Sequence, residues 1–166
     1  MTATDRLVAN AADYFKSGVH DGERAVRPAL QLAVVSCMDS RIDLFSLLGL
    51  RIGDAHMIRN AGGLISEDAV RSLAISQRFL GTREIVLIHH SNCGLEGLDD
   101  EKLAADLEAE TGSRPSWRAG GFTDPAEDVR RSVQILKASP FIPHRDSVRG
   151  FVFDVHTGEL IEVDPG

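Results

Sequence analysis

Two thiols and an imidazole stand in this chain where they could share one cation. Cys37 closes the apolar run Leu32-Ala33-Val34-Val35 and is followed by Asp39 and Arg41, while His90-Ser91-Asn92-Cys93 closes a second run, Ile85-Val86-Leu87-Ile88. Those two segments hold both cysteines of the chain. Thiolate and imidazole donors suit a borderline cation such as zinc, and three of them leave the fourth tetrahedral position for water or another ligand. As thiolates, Cys37 and Cys93 would neutralise the formal charge of one Zn2+, and His90 would add a neutral donor. A water there is acidified less than at an all-histidine site, where the metal keeps its full charge. Arg41 supplies positive field nearby and can grip the Asp39 carboxylate with a bidentate fork. Held ionised in this way, Asp39 can accept a hydrogen bond from a hydroxide on the metal and turn that nucleophile toward a small electrophile. Asp39 could equally swing in as the fourth ligand, which would close the metal and silence it.

The elements around these residues alternate between strand and helix. Residues 4 to 18 read as a helix, with Leu7, Val8, Ala11, Ala12 and Phe15 at helical spacing and Gly18 to end it. A polar stretch from His20 to Pro28 follows as a linker, which frees residues 1 to 28 to lie on something other than their own core, such as a partner subunit. After Cys37 a short helix is expected over 42 to 48, capped by Gly49, then a strand from Ala55 to Arg59 that ends in the turn-forming cluster Asn60-Ala61-Gly62-Gly63. Ser66 with Glu67 and Asp68 opens a helix whose stripe Val70, Leu73, Ala74, Leu80 runs to Gly81. Phe45, Phe79, Leu73 and Leu80 are expected in the core.

Because the runs 32 to 35 and 85 to 88 are apolar on consecutive residues, they suit strands of a parallel sheet covered on both faces. Helices are expected over 100 to 110, whose Glu108 and Glu110 belong to a solvated face, and from Asp124-Pro125-Ala126-Glu127 to about Lys137. Between them residues 112 to 123, around the only tryptophan, read as loop. Runs 150 to 155 and 159 to 163 flank His156-Thr157-Gly158 as a terminal hairpin. The fold class is therefore α/β, a central mostly parallel sheet flanked by helices, with both ligand segments at strand carboxyl ends where such sheets bind ligands.

Length and composition narrow the function. A chain of 166 residues is expected to form one domain, and 43% hydrophobic with 26% charged content is that of a globular protein. The apolar stretches fall short of the roughly 18 residues that span a bilayer, and Met1-Thr2-Ala3-Thr4-Asp5-Arg6 opens no signal peptide, so a cytoplasmic protein with reduced thiols and no membrane role is expected. A net charge of -7 without a Lys/Arg block disfavours nucleic acid. Neither G-x-x-x-x-G-K-[ST], G-x-G-x-x-G nor Cys-x-x-Cys occurs, which argues against nucleotide and dithiol redox chemistry. His89 precedes the ligand on its strand and should face the opposite side as a packed histidine. His56 titrates in the right range for a proton shuttle, but nothing in the sequence places it by the metal.

The ordered set Cys37-Met38-Asp39-Ser40-Arg41, Arg59-Asn60-Ala61-Gly62 and His90-Ser91-Asn92-Cys93-Gly94 closely resembles the β-class carbonic anhydrases of the short bacterial type. The likeness covers residues 30 to 96 by motif and extends more loosely to both ends. By that resemblance Cys37, His90 and Cys93 are the ligands of one zinc ion per chain, Asp39 and Arg41 form the catalytic dyad, and Gly62 lines the substrate pocket. The reaction implied is reversible hydration of CO2 to bicarbonate, with activity rising toward alkaline pH, in a homodimer or a tetramer whose N-terminal helix embraces the neighbour. One departure is Pro28, where plant-type members carry glutamine nine residues before the first cysteine; Gln31 is out of register. The second is the brevity of the chain, which removes pocket walls. Two alternatives stand beside this reading: a carbonyl sulfide hydrolase using the same zinc, and a non-catalytic module closed by Asp39.

Overall fold

In a computed structural model describing residues 1–166, the consecutive apolar runs become adjacent strands of one five-stranded sheet. In chain order the elements are α1 (Ala3–Ser17), β1 (Leu32–Cys37), α2 (Leu44–Leu48), β2 (Ala55–Asn60), α3 (Glu67–Arg78), β3 (Glu84–His90), α4 (Asp100–Thr111), α5 (Pro125–Ala138), β4 (Val148–Phe153) and β5 (Leu160–Val163). The strands lie in the order β2-β1-β3-β4-β5, parallel throughout except β5, which returns antiparallel on β4. Strand order reverses at β1 and β3, so the ends of these two strands flank the crevice that such a sheet leaves open.

Each face of the sheet buries its own core. Ala33, Val35, Ile85 and Leu87 pack with Leu73 of α3 and Val129, Val133 and Leu136 of α5. Val34 and Ile88 face the other way, with Ile42, Leu44, Phe122 and both cysteines. Gly150 is required where α5 crosses β4, since a Cβ there would collide with Val129 Cγ1. The helix starts follow their caps: Ser66 Oγ accepts from Ala69 N, and Asp124 Oδ1 accepts from Ala126 N and Glu127 N ahead of Pro125, each worth about 1 kcal/mol.

Two aromatic residues expected in the core lie at the surface. Phe45 is exposed because the five-residue α2 buries only Leu44, and Phe79 is 73% exposed because α3 ends at Arg78, leaving it to cap the helix beside an open groove. Leu73 is buried as expected, and Leu80 is half-buried. The terminal hairpin is shifted, β4 starting at Val148 and Asp154 accepting from His156 N and Thr157 N in the turn.

The loop 112–123 is fastened to α4 by three carboxylates: Arg114 pairs with Glu101 and Glu108 at the exposed surface, and Asp100 holds the segment nearer Trp117. Asp100 accepts from Gly121 N (2.9 Å) and from Arg118 Nε (3.2 Å), and these contacts, the Gly121 amide foremost, hold its carboxyl below the ordinary 3.8. A carboxyl depressed in the folded state stabilises it above the unfolded pKa, and that contribution is lost as pH falls through the folded value. The loop should therefore loosen only below about pH 4. Trp117, the sole tryptophan, is the reporter: its emission should shift in that range, and Asp100→Asn should show the shifted emission already at neutral pH.

Candidate metal centre

β1 and β3 run side by side, so Cys37 and His90 emerge at the same end of the sheet. Cys93 is brought back by a tight turn in which Asn92 adopts φ +53°, a left-handed conformation that asparagine tolerates better than most residues. The two Sγ atoms lie 4.0 Å apart, and with the nearer His90 ring nitrogen all three ligand atoms fall within 4.8 Å of one another. All three side chains are buried.

The imidazole is oriented for ligation. Its Nδ1 donates to Ser91 O at 3.0 Å, which fixes the proton there and leaves the Nε2 lone pair free. That Nε2 is buried and has no hydrogen-bond partner, an arrangement that costs free energy unless a cation takes the lone pair. Burial pushes the Cys37 thiol up, but the His90 ring and the backbone amides of Asp39 and Gly62 outweigh it and draw the pKa down to about 7. Burial together with the neighbouring Cys37 charge pushes Cys93 up, against the Leu95 amide. Two thiolates and one imidazole in this compass fit zinc, and Asp39 stands beside them, its Oδ2 3.8 Å from His90 Nε2.

Asp39 is held by Arg41 through a full fork. Arg41 Nε donates to Oδ1 (2.9 Å), Nη2 to Oδ2 (2.6 Å), and the Arg41 backbone N–H to Oδ1 (2.9 Å). The Arg41 hydrogen bonds hold the Asp39 carboxyl far below the usual carboxylate range, so it is ionised at any working pH. Arg41 is itself tied to the second ligand segment, Nη2 donating to Asn92 O at 2.8 Å. Both Asp39 oxygens are thus engaged by the guanidinium, an arrangement that favours the open site over closure by Asp39.

Gly62 does more than turn the chain. With φ +73° it sits in a conformation that suits glycine, its amide faces the Cys37 sulfur, and a Cβ would lie 2.7 Å from Leu95 Cδ1. Arg59 is a participant to which the sequence alone assigned no task. Its Nε donates to Cys37 O (3.0 Å) and its Nη2 to Asp39 O (2.6 Å), clamping the segment from which ligand and carboxylate both depart. The signal was its place just before Asn60-Ala61-Gly62, but its target depends on the register Ser36↔Arg59 across two parallel strands.

The other histidines stay apart. His89 faces the opposite side of the sheet, buried with Nδ1 3.2 Å from Asp128 Oδ2. His56 bonds Ser76 Oγ at 2.7 Å, and Ser76 bonds Thr82. It pairs with Ala33, four residues before the end of β2 and hence about 13 Å short of the strand ends.

A buried thiolate–imidazole cation site at the switch point of a parallel sheet, with an ionised carboxylate forked to arginine beside it, defines the class of this centre. The family profile described as carbonic anhydrase matches residues 32–109. The chain is 47% identical over 165 residues to β-carbonic anhydrase 1 of Mycobacterium tuberculosis, covering 99% of this chain and all of that one. It superimposes on the crystal structure of a carbonic anhydrase from Streptococcus mutans with a TM-score of 0.89 at 36% identity, covering 99% of each. A carbon disulfide hydrolase of Acidithiobacillus thiooxidans is more distant, 35% identical over 78% of this chain and 75% of its own length. The chain belongs to the β-carbonic anhydrase family. The greater likeness to carbonic anhydrases does not favour the sulfide-hydrolase alternative.

Proposed function

We propose that this protein is a zinc-dependent carbonic anhydrase catalysing the reversible hydration of CO2 to bicarbonate and a proton. The observation that carries the reading is the convergence of Cys37, His90 and Cys93 within 4.8 Å, with the Asp39–Arg41 pair beside them. Zinc held by those three ligands supplies the Lewis acidity that makes a water nucleophilic near neutral pH. Asp39, ionised and held in plane by Arg41, would accept a hydrogen bond from the attacking water and orient it toward the substrate carbon. Arg41 keeps Asp39 ionised and fixes its plane, and Arg59 fixes the backbone that carries it. Arg41 is exposed and Asp39 only part-buried, so the proton departs to solvent or buffer at that mouth without any role for His56.

The whole chain, residues 1–166, works as one domain with residues 1–28 as an arm, and the working unit is a homodimer. In support, α1 buries none of its residues, and Leu7, Val8 and Phe15 are 65%, 65% and 85% exposed. A groove of about 920 Å³ between α3 and α5, walled by Val70, Ala74, Ile75, Phe79, Ile135 and Phe141, offers the apolar surface such a helix needs. No helix is long and apolar enough to cross a membrane, and buried reduced thiols fit a cytoplasmic setting.

Stopped-flow CO2 hydration at neutral to alkaline pH, on protein of known zinc content, tests the reading, with carbonyl sulfide and carbon disulfide offered to the same preparation. Turnover proportional to zinc and rising with pH is expected, and sedimentation should give twice the chain mass. Zinc with sulfide release but little CO2 turnover would overturn the substrate, and zinc without any turnover would leave a closed metal module.

A further inference from the structure

On the face of the sheet that carries His89, the start of α3, one side of α5 and the loop 112–123 enclose a cavity of about 600 Å³. Its floor holds polar groups whose hydrogen-bonding capacity the chain leaves unused. Asp128 and Ser132, one helical turn apart on α5, line it, and His89 lies behind Asp128. Each of the three is more than nine-tenths buried. His89 Nδ1 stands 3.2 Å from Asp128 Oδ2, yet neither ring nitrogen has a hydrogen-bonded partner. Asp128 Oδ1 is 3.6 Å from Arg131 Nη1, too far for a hydrogen bond, and the Ser132 hydroxyl bonds to nothing in the chain. Buried groups of this kind are satisfied in nearly all folded proteins, so the floor suits an occupant that both donates and accepts.

The charges on the walls select among such occupants. Asp128 is matched by Arg131, Arg118 by Asp100 (3.2 Å) and Asp68 by Arg71 (3.4 Å), which leaves only Glu67 over. A bound anion would meet Asp128 and Glu67, and a bound cation would meet Arg131 and Arg118. A hydroxyl meets neither penalty, because one group donates to a carboxylate and accepts from a guanidinium. Trp117 lines the same cavity and is 60% exposed, so its indole presents an apolar face there. The loop that carries it is already tied down, by Asp100 to Gly121 N and Arg118 and by Arg114 to Glu101 and Glu108, so little ordering is left for a ligand to bring about.

We propose that this cavity binds a small neutral carbohydrate, a mono- or disaccharide, at a site separate from the metal centre. Two neighbouring hydroxyls of the sugar bridge the gap between Asp128 and Arg131, one donating to the carboxylate and the next accepting from the guanidinium. A third reaches Ser132, and the C–H face of the ring lies on Trp117.

The sole tryptophan makes the test direct. The zinc-loaded full chain is titrated with D-glucose, D-galactose, D-mannose, maltose and trehalose, with N-acetyltryptophanamide carried alongside to remove viscosity and refractive effects. At least one sugar should change Trp117 emission saturably at millimolar concentration or below, while sodium phosphate and glycine should not. Ser132→Ala and Arg131→Gln should each weaken that sugar by about fivefold to tenfold, the scale of one hydrogen bond, with circular dichroism and zinc content showing that both are folded. The proposal is overturned if no sugar saturates, which is the result for a cavity that holds only water. It is overturned equally if phosphate or glycine binds in the sugars' place, or if both folded variants bind as the wild type does, which would put the sugar on exposed Trp117 alone.

Discussion

Asp39→Asn should keep its zinc and lose about 100-fold or more of its CO2 hydration, the scale on which a positioned proton acceptor contributes. The substitution keeps the shape and removes the charge. The side-chain amide that replaces the carboxylate could still take one hydrogen bond from Arg41 at its carbonyl oxygen, but its nitrogen would confront Nη2, donor against donor, where a 2.6 Å contact now stands. The guanidinium then loses half its fork and the water loses its acceptor, while Cys37, His90 and Cys93 are untouched. Metal analysis beside stopped-flow rates separates the two effects. An Asn variant with wild-type turnover would remove Asp39 from the mechanism. Because Arg41 holds the Asp39 carboxyl so low, the alkaline rise expected of the wild type is not its titration; the residual activity of the Asn variant should still rise with pH, with its midpoint moved downward by the loss of a negative charge beside the water.

Cys93→Ser should lose both metal and stability. A serine hydroxyl is not deprotonated near neutral pH, so one of two anionic donors vanishes and zinc affinity should fall well beyond the roughly 10–100-fold that follows loss of an outer hydrogen-bond partner of a ligand. Metal bound only by the folded chain stabilises it by about 4 kcal/mol when present at 1,000 times its dissociation constant, so that increment disappears. Melting the wild type with excess chelator isolates the metal's share. The variant and the chelated wild type should melt nearly together, the variant lower by no more than about 1 kcal/mol for a buried hydroxyl. A variant that melts with the untreated wild type would show that Cys93 does not hold the metal.

Much of this was legible from residue order. The runs before Cys37 and His90 are apolar on consecutive residues, which only a strand covered on both faces needs, and from that the parallel sheet and the siting of the ligands follow. The Asp39–Arg41 fork was legible because the two residues are close in sequence. Arg59 was not, because its hydrogen bonds to the Cys37 and Asp39 carbonyls exist only once β2 lies beside β1 in one register. Phe45 and Phe79 were misplaced for a related reason. Apolar spacing says which face of a helix avoids water but not whether the same chain supplies the cover.

The bare first helix has a consequence for how the molecule is handled. Fifteen residues without tertiary support make a helix of marginal stability in water, whatever its caps, and α1 draws no support from its own chain. In the proposed homodimer its order would come from the partner's groove, and the fraction of folded N-terminal arms would then be a function of protein concentration. Dilution should expose residues 3 to 17 to proteases while the sheet stays intact. Nanomolar assays and micromolar structural measurements would then sample two different states of the same chain.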